Sequence, residues 1–216
     1  MEPLLARALR AMPVVVVTGA RQTGKTTLAN LLTPGRRYLT LDDIAVWDQA
    51  ERDPASLLAE LPVTLDEVQR APALLLAVKR RVDTARKAGS LLLTGSANLS
   101  LMGTVAESLA GRAIYLELPP FCPAEWSGES VTATGLDALF AAKFSAADWP
   151  ERRCRWEPWV VRGGFPDALK AEDDAARDLW FAGYVQTYLE RDLRQLSNVG
   201  SLVDFQRLVR LLPHRT

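Results

Sequence analysis

Val14-Val15-Val16-Val17 sets four β-branched residues in succession, a pattern that suits a strand covered on both faces. Gly19-Ala20-Arg21-Gln22-Thr23-Gly24-Lys25-Thr26 follows at once and opens a segment with helical spacing. A buried strand, a glycine loop and a helix in that order restrict the chain to an α/β arrangement, in which crossovers return it to parallel neighbours. The alternation continues to Leu118. It predicts strands over Val14–Thr18, Arg37–Leu41, Val63–Leu65, Ser90–Thr94 and Ala113–Leu118. Helices are predicted over Pro3–Ala11, Lys25–Leu32, Ile44–Leu61 with a break at Pro54, Ala71–Ala88 and Leu99–Leu109. No fixed-period self-similarity runs through the sequence, so a repeat protein is not indicated.

The glycine loop fits G-x-x-x-x-G-K-[ST] without a mismatch and stands where that motif must stand, between strand and helix. Glycines at both ends let the backbone N–H groups face inward, and the following helix adds the positive end of its dipole, so the loop binds an anion. Lys25 is expected to reach the β- and γ-phosphates of a nucleotide, and the Thr26 hydroxyl to coordinate Mg²⁺, a hard cation that takes few protein ligands. Gly19, Ala20, Arg21, Gln22, Thr23, Gly24, Lys25, Thr26 and Thr27 form the expected nucleotide-binding set.

Pro62-Val63-Thr64-Leu65-Asp66-Glu67 is an apolar strand ending in two adjacent carboxylates. In phosphoryl transfer, Asp66 at the strand tip would hold Mg²⁺ and Glu67 would orient and polarise the attacking water. Successive strand residues point opposite ways, which lets the pair divide these tasks. Ser90-Leu91-Leu92-Leu93-Thr94 runs into Gly95-Ser96-Ala97-Asn98, and Ser96 or Asn98 is the candidate sensor of the γ-phosphate. Arg112, just before the fifth strand, is a candidate for stabilising transition-state charge in cis or across a subunit boundary.

With 26 Lys+Arg against 26 Asp+Glu the net charge is zero, and no global basic field exists to coat a nucleic acid. No apolar run approaches the roughly 20 residues of a transmembrane helix, and no leader with a cleavage site opens the chain. A cytoplasmic protein is expected. Cys122 and Cys154 lack metal-pair spacing and are expected to be reduced thiols.

After Pro119-Pro120 the pattern changes. Phe121–Trp126 is aromatic and turn-rich, and Ser127–Asp148 is weakly periodic. Helical spacing returns from Ala175 to Leu212 as two helices parted near Ser197-Asn198-Val199-Gly200. The division expected is 1–126 for the α/β domain and 127–216 for a mostly helical segment.

Thr18-Gly19-Ala20-Arg21-Gln22-Thr23-Gly24-Lys25-Thr26-Thr27, Tyr38-Leu39-Thr40-Leu41-Asp42-Asp43, Leu65-Asp66-Glu67-Val68-Gln69-Arg70, Leu92-Leu93-Thr94-Gly95-Ser96-Ala97-Asn98 and Ser108-Leu109-Ala110-Gly111-Arg112 together resemble the AAA-type P-loop ATPases. The resemblance is closer to the bacterial and archaeal "ATP-binding protein" group whose AAA domain precedes a domain of unknown function, DUF4143. It spans residues 1 to about 126, and Gly163-Gly164-Phe165-Pro166 and Tyr184–Leu193 look like the segment with which the group continues. The resemblance implies a P-loop NTPase sheet of order 5-1-4-3-2 flanked by helices, Mg·ATP as ligand, and roles for Lys25, Thr26, Asp66, Glu67 and Ser96 that agree with the reading above. Such proteins continue into a winged-helix segment and a large nuclease-like domain, and the sequence here ends at Thr216, at the start of what would be the winged helix.

Two functions are carried forward. One is Mg-dependent ATP binding and hydrolysis that moves the helical segment after Trp126. The alternative is an ATP-binding switch or interaction module with negligible turnover, linked to DNA or a protein partner or to self-association. The sequence holds no Asn/Thr-Lys-x-Asp guanine motif, which disfavours a GTPase, and a small-molecule kinase is a distant third.

Overall fold

The computed structural model describes residues 1–32, 35–96, 109–128 and 157–189, with Asp204, Arg207, Leu208 and Leu211 beyond them. The helix expected over Leu99–Leu109 apart from Leu109 itself, Asn98, most of Ser127–Asp148, Cys154 and most of Leu202–Leu212 lie outside the described residues, as do Arg191, Asp192 and Arg194. The chain forms two compact units, Met1–Pro119 with Ala182–Thr216, and Pro120–Phe181.

The first unit is built on strands β1 (Val14–Thr18), β2 (Arg37–Thr40), β3 (Val63–Asp66), β4 (Leu91–Thr94) and β5 (Ala113–Glu117). They make one five-stranded sheet of order β2-β3-β4-β1-β5, in which every adjacent pair is parallel. That is the order 5-1-4-3-2 read from the other edge. Helices α1 (Glu2–Ala11), α2 (Lys25–Leu32), α3 (Ile44–Arg52), α4 (Pro54–Leu57) and α5 (Leu74–Thr84) flank it.

The valine run explains the layering. Val14 and Val16 are buried with Leu57, Leu74, Leu75, Val78 and Leu93 on one face, while Val15 and Val17 are buried with Leu5, Ala8, Ala29 and Leu92 on the other. Both faces of β1, an interior strand, are therefore dry, each valine side chain contributing roughly 1.5–3 kcal/mol of burial. Each of the two helices flanking the break at Pro54 is capped at its amino end. Asp43 accepts from the Ala45 amide at 2.8 Å to start α3, and Asp53 accepts from Ser56 at 3.4 Å to start α4 with Pro54 in its first turn.

The helix predicted over Ala71–Ala88 is shorter. Val68–Arg70 is a 3-10 turn, α5 covers Leu74–Thr84, and the chain then turns so that the Gly89 amide reaches the Met12 carbonyl at 2.8 Å. Gly89 sits at φ +71 against the Leu9 carbonyl, so the turn into β4, and not helix propensity, ends α5. At the same amino edge of the sheet Arg36 donates to the Val63 carbonyl at 2.8 Å and to Gly89 at 2.5 Å, tying β3 to the approach of β4. Burial lowers the Arg36 pKa from its ordinary value.

The second unit contains helical turns Pro123–Trp126, Glu157–Arg162 and Pro166–Leu169 and most of the helix Asp174–Tyr184. Its aromatic rings pack together, Phe165 with Trp180 at 5.3 Å and Trp180 with Phe181 at 5.0 Å between centroids. Phe121 donates its amide to the Gly164 carbonyl at 2.8 Å, and a Cβ on Gly164 would collide with the Phe121 carbonyl. The stretch Phe121–Trp126, expected to be turn-rich, holds a one-turn helix because Glu125 reaches back to the Cys122 amide at 3.1 Å. Among the described residues no helix is long and apolar enough to cross a membrane.

Candidate functional site

Strand order decides which side chains meet. β1, β4 and β3 are adjacent and parallel, so the loop after Thr18, the polar tip after Thr94 and the Asp66-Glu67 pair all leave the same carboxyl edge of the sheet. The loop leaves β1 at Gly19, whose φ of +147 and contact with the Leu118 backbone exclude any Cβ. Gln22 at φ 61 and Gly24 at φ +93 complete its turns. Thr23 closes it with a hydroxyl bond to the Ala20 carbonyl at 3.0 Å. Lys25, only 6% exposed, folds its ammonium back onto the loop and donates to the Ala20 carbonyl at 2.7 Å and to Gly19 at 3.2 Å.

Asp66 is the hub of the site. Its carboxylate is 4% exposed and accepts from three neutral hydroxyls: Thr26 at 2.9 Å, Tyr38 at 2.6 Å, and Thr94. Burial, and next the bond to Asp66, push the Tyr38 hydroxyl well above its ordinary pKa, so it remains a donor. A buried carboxylate oxygen within 2.9 Å of the Thr26 hydroxyl is a hard-oxygen donor set that fits Mg²⁺, which takes few protein ligands and keeps waters.

Glu67 departs from the strand-alternation reading. β3 ends at Asp66, and Glu67 adopts a left-handed conformation, φ 59 and ψ 40, so a turn and not the pleat divides the two carboxylates. The turn is braced: Arg70 donates its amide to the Glu67 carbonyl at 3.0 Å and Val68 is fully buried. The Gln69 side chain donates to the Glu67 carboxylate and accepts from the Ser96 amide at 3.3 Å. Ser96, 4% exposed, thus lies beside the carboxylate pair, as expected for a strand between the first and third.

Arg112 is not brought to this edge. It precedes β5, whose first residue Ala113 pairs with Val14 at the amino end of β1, so the length of the sheet separates it from the loop. In this topology Arg112, a candidate for acting in cis or in trans, does not reach the loop of its own chain. Its guanidinium instead grips Asp83 of α5 through two bonds of 2.6 Å and 3.0 Å. The hydrogen bond to Arg112 holds the Asp83 carboxyl below its ordinary 3.8. A depressed carboxyl contributes stability that is present above pH 3.8 and lost as pH falls through the folded value. Asp83→Asn is therefore expected to lower the melting temperature slightly at pH 7, by a difference that shrinks as pH falls below 3.8, read by thermal melts across that range.

Tyr38, Thr94 and Gln69 occupy motifs the sequence displays; register brings Tyr38 and Thr94 to Asp66, and the turn after β3 brings Gln69 to Glu67. Tyr38 pairs with Thr64 and Thr40 with Asp66, which sets Tyr38 diagonally across from Asp66 within reach of a long side chain. Leu65 pairs with Leu93, so one step further brings Thr94 beside Asp66. Tyr184, in the stretch that returns to the first unit, donates its hydroxyl to the Arg21 carbonyl of the loop at 3.3 Å. No sequence signal marks that contact.

A family model described as an AAA domain matches residues 11–127. A second, described as a domain of unknown function (DUF8612), matches residues 154–216, where the resemblance implied DUF4143. An uncharacterized protein of Mycobacterium tuberculosis is 35% identical over 97% of the chain, and one of Mycobacterium bovis is similar to the same degree. The chain spans 43% of the length of each of these relatives. Among solved structures, a Walker-type ATPase of Pyrococcus abyssi is 14% identical with a TM-score of 0.47, covering 90% of this chain and 73% of that one. AMPPCP-bound DnaA from Aquifex aeolicus is 14% identical with a TM-score of 0.47, covering 89% of this chain and 64% of that one.

Proposed function

We propose, from the premise that the chain belongs to the AAA-domain family, that it binds ATP with magnesium and hydrolyses it. The observation that carries this reading is the convergence of the glycine loop, Asp66 and Glu67 on one sheet edge, with Thr26 already 2.9 Å from Asp66. A site that only bound nucleotide would not need the second carboxylate.

In this mechanism Lys25 exchanges its bonds to the Gly19 and Ala20 carbonyls for phosphate oxygens, and the loop N–H groups hold the rest of the chain of phosphates. Thr26 and Asp66 would hold magnesium, which when bound neutralises charge on the β- and γ-oxygens. The Glu67 carboxylate orients a water and takes its proton as the water oxygen bonds to the γ-phosphorus. The bond from that phosphorus to the bridging oxygen breaks, ADP carries away the electron pair, and the proton passes to solvent. Ser96 is the sensor of the γ-phosphate in this scheme. Tyr184, bonded to the loop at Arg21, connects its state to the C-terminal helical segment. A contribution from Arg112 is one made to the site of a second copy, and it requires the Asp83 pair to part.

The second reading, an ATP-dependent switch with negligible turnover, is favoured by one observation: the candidate arginine is held by Asp83 away from the loop. Binding is tested by thermal melts. Mg·ATP at a hundred times its Kd stabilises the chain by about 2.7 kcal/mol, and Asp66→Asn loses the part that depends on magnesium. Melting curves that do not move at any Mg·ATP concentration contradict both readings.

A further inference from the structure

We infer that Gln69 is a positioning residue that sets the Glu67 carboxylate and locks it to the Ser96 backbone, an inference that rests on the hydrolase reading above. Three observations carry it.

The first is polarity. Gln69 bonds at both ends of its amide, Nε2 to the Glu67 carboxylate and Oε1 to the Ser96 N–H at 3.3 Å. A carboxylate only accepts and a backbone N–H only donates, so the reverse amide orientation would set like against like at both ends. The amide is therefore fixed in one orientation by its two partners. The second is backbone strain at the residue it holds. Glu67 is one of two non-glycine residues among those described with positive φ, a conformation that persists only where the surroundings over-determine it. Gln69 supplies one such constraint on the side chain. The third is the rigidity of its own platform. Gln69 lies in the 3-10 turn Val68–Arg70, which is anchored inward by buried Val68 and outward by the Trp47 indole on the Arg70 carbonyl at 3.2 Å and by the Arg70–Asp42 ion pair.

The consequence is a linkage between two catalytic jobs. Ser96 follows β4 and Glu67 follows β3; Thr94 and Asp66 join the strand ends themselves, and the Gln69 side chain joins the two residues beyond them. Anything that shifts the backbone at Ser96 when a γ-phosphate is present is passed to the orientation of the Glu67 carboxylate. The pairing of β3 with β4 does not depend on Gln69, so its loss leaves nucleotide binding in place and misdirects the water.

The test uses the full chain, with kcat and KM from phosphate release and affinity from equilibrium binding of a fluorescent ATP analogue. Gln69→Met keeps the length and removes both bonds. Gln69→Glu keeps an acceptor for the Ser96 N–H and turns a carboxylate onto Glu67. Each is expected to lower kcat roughly ten- to a hundredfold, with KM and analogue affinity within about twofold of wild type. In a Glu67→Gln background, Gln69→Met is expected to cost nothing further, because the two act as one unit. Losses that add in the double variant, a rise in KM at constant kcat, or wild-type kcat in Gln69→Glu each overturn the inference. If Gln69→Met does not fold, Gln69→Glu and its own double variant carry the same comparison. A wild-type chain that releases no phosphate overturns the hydrolase reading and this inference with it, whereas wild-type turnover unaffected by either Gln69 variant overturns this inference alone.

Discussion

Lys25→Ala is expected to bind Mg·ATP about a hundredfold more weakly than the unaltered chain, or beyond detection, and to hydrolyse none of it at matched concentrations. A charge-assisted hydrogen bond contributes roughly 1.5–3 kcal/mol, and 1.4 kcal/mol is tenfold in affinity. The Lys25 ammonium donates to two loop carbonyls, so its removal also leaves the Gly19 and Ala20 carbonyls without that donor. Because the loop is closed by Thr23 on Ala20 and by the strand contact at Gly19, the fold survives the change. The measurement is a titration with a fluorescent ATP analogue, supported by a melting curve that shows the variant folded. Affinity within threefold of wild type would remove Lys25 from the phosphate site.

Glu67→Gln separates binding from chemistry. The amide has the volume of the carboxylate and retains an oxygen that accepts from Gln69, so the braced turn at Val68–Arg70 stays in place. What it loses is the capacity to take a proton from water. General-base assistance contributes roughly 10²–10⁴-fold, and kcat is expected to fall by that range while ATP affinity stays within about threefold. A variant that keeps wild-type kcat takes the base role away from Glu67. One that loses affinity as well as kcat makes Glu67 part of the binding surface.

How far each part of this site was legible follows from the range of the interaction that sets it. The strand Val14–Thr18 and the loop after it were readable because four β-branched residues and two glycines encode local backbone preferences, and the same residues are buried strand and positive-φ turn in the structure. Asp66 was readable as a strand tip for the same reason. The conformation of Glu67 was not, because a left-handed glutamate has no local signature and is imposed by the turn that follows it. The hydroxyls of Tyr38 and Thr94 on Asp66 are contacts between strands 28 residues apart in sequence. They depend on register, which a single sequence does not state. Arg112 illustrates the opposite limit. Its position before a strand was legible, but which end of the sheet that strand begins at is a property of topology, and it puts the guanidinium on Asp83. α5 ends short of the helix its composition suggests, because Arg86 and Lys87 continue a helical composition into the segment where the chain turns to bring Gly89 to Met12.

Turnover of ATP at the carboxyl edge of the sheet is measured as phosphate release from Mg·ATP by the purified chain. The assay is run over a series of protein concentrations with Glu67→Gln and Lys25→Ala alongside. Release is expected to depend on magnesium, to vanish in Lys25→Ala and to fall roughly 10²–10⁴-fold in Glu67→Gln, with specific activity rising with concentration where Arg112 of a second copy contributes. No release by the folded wild-type chain at any concentration, or release at the wild-type rate in Glu67→Gln, contradicts hydrolysis at this site.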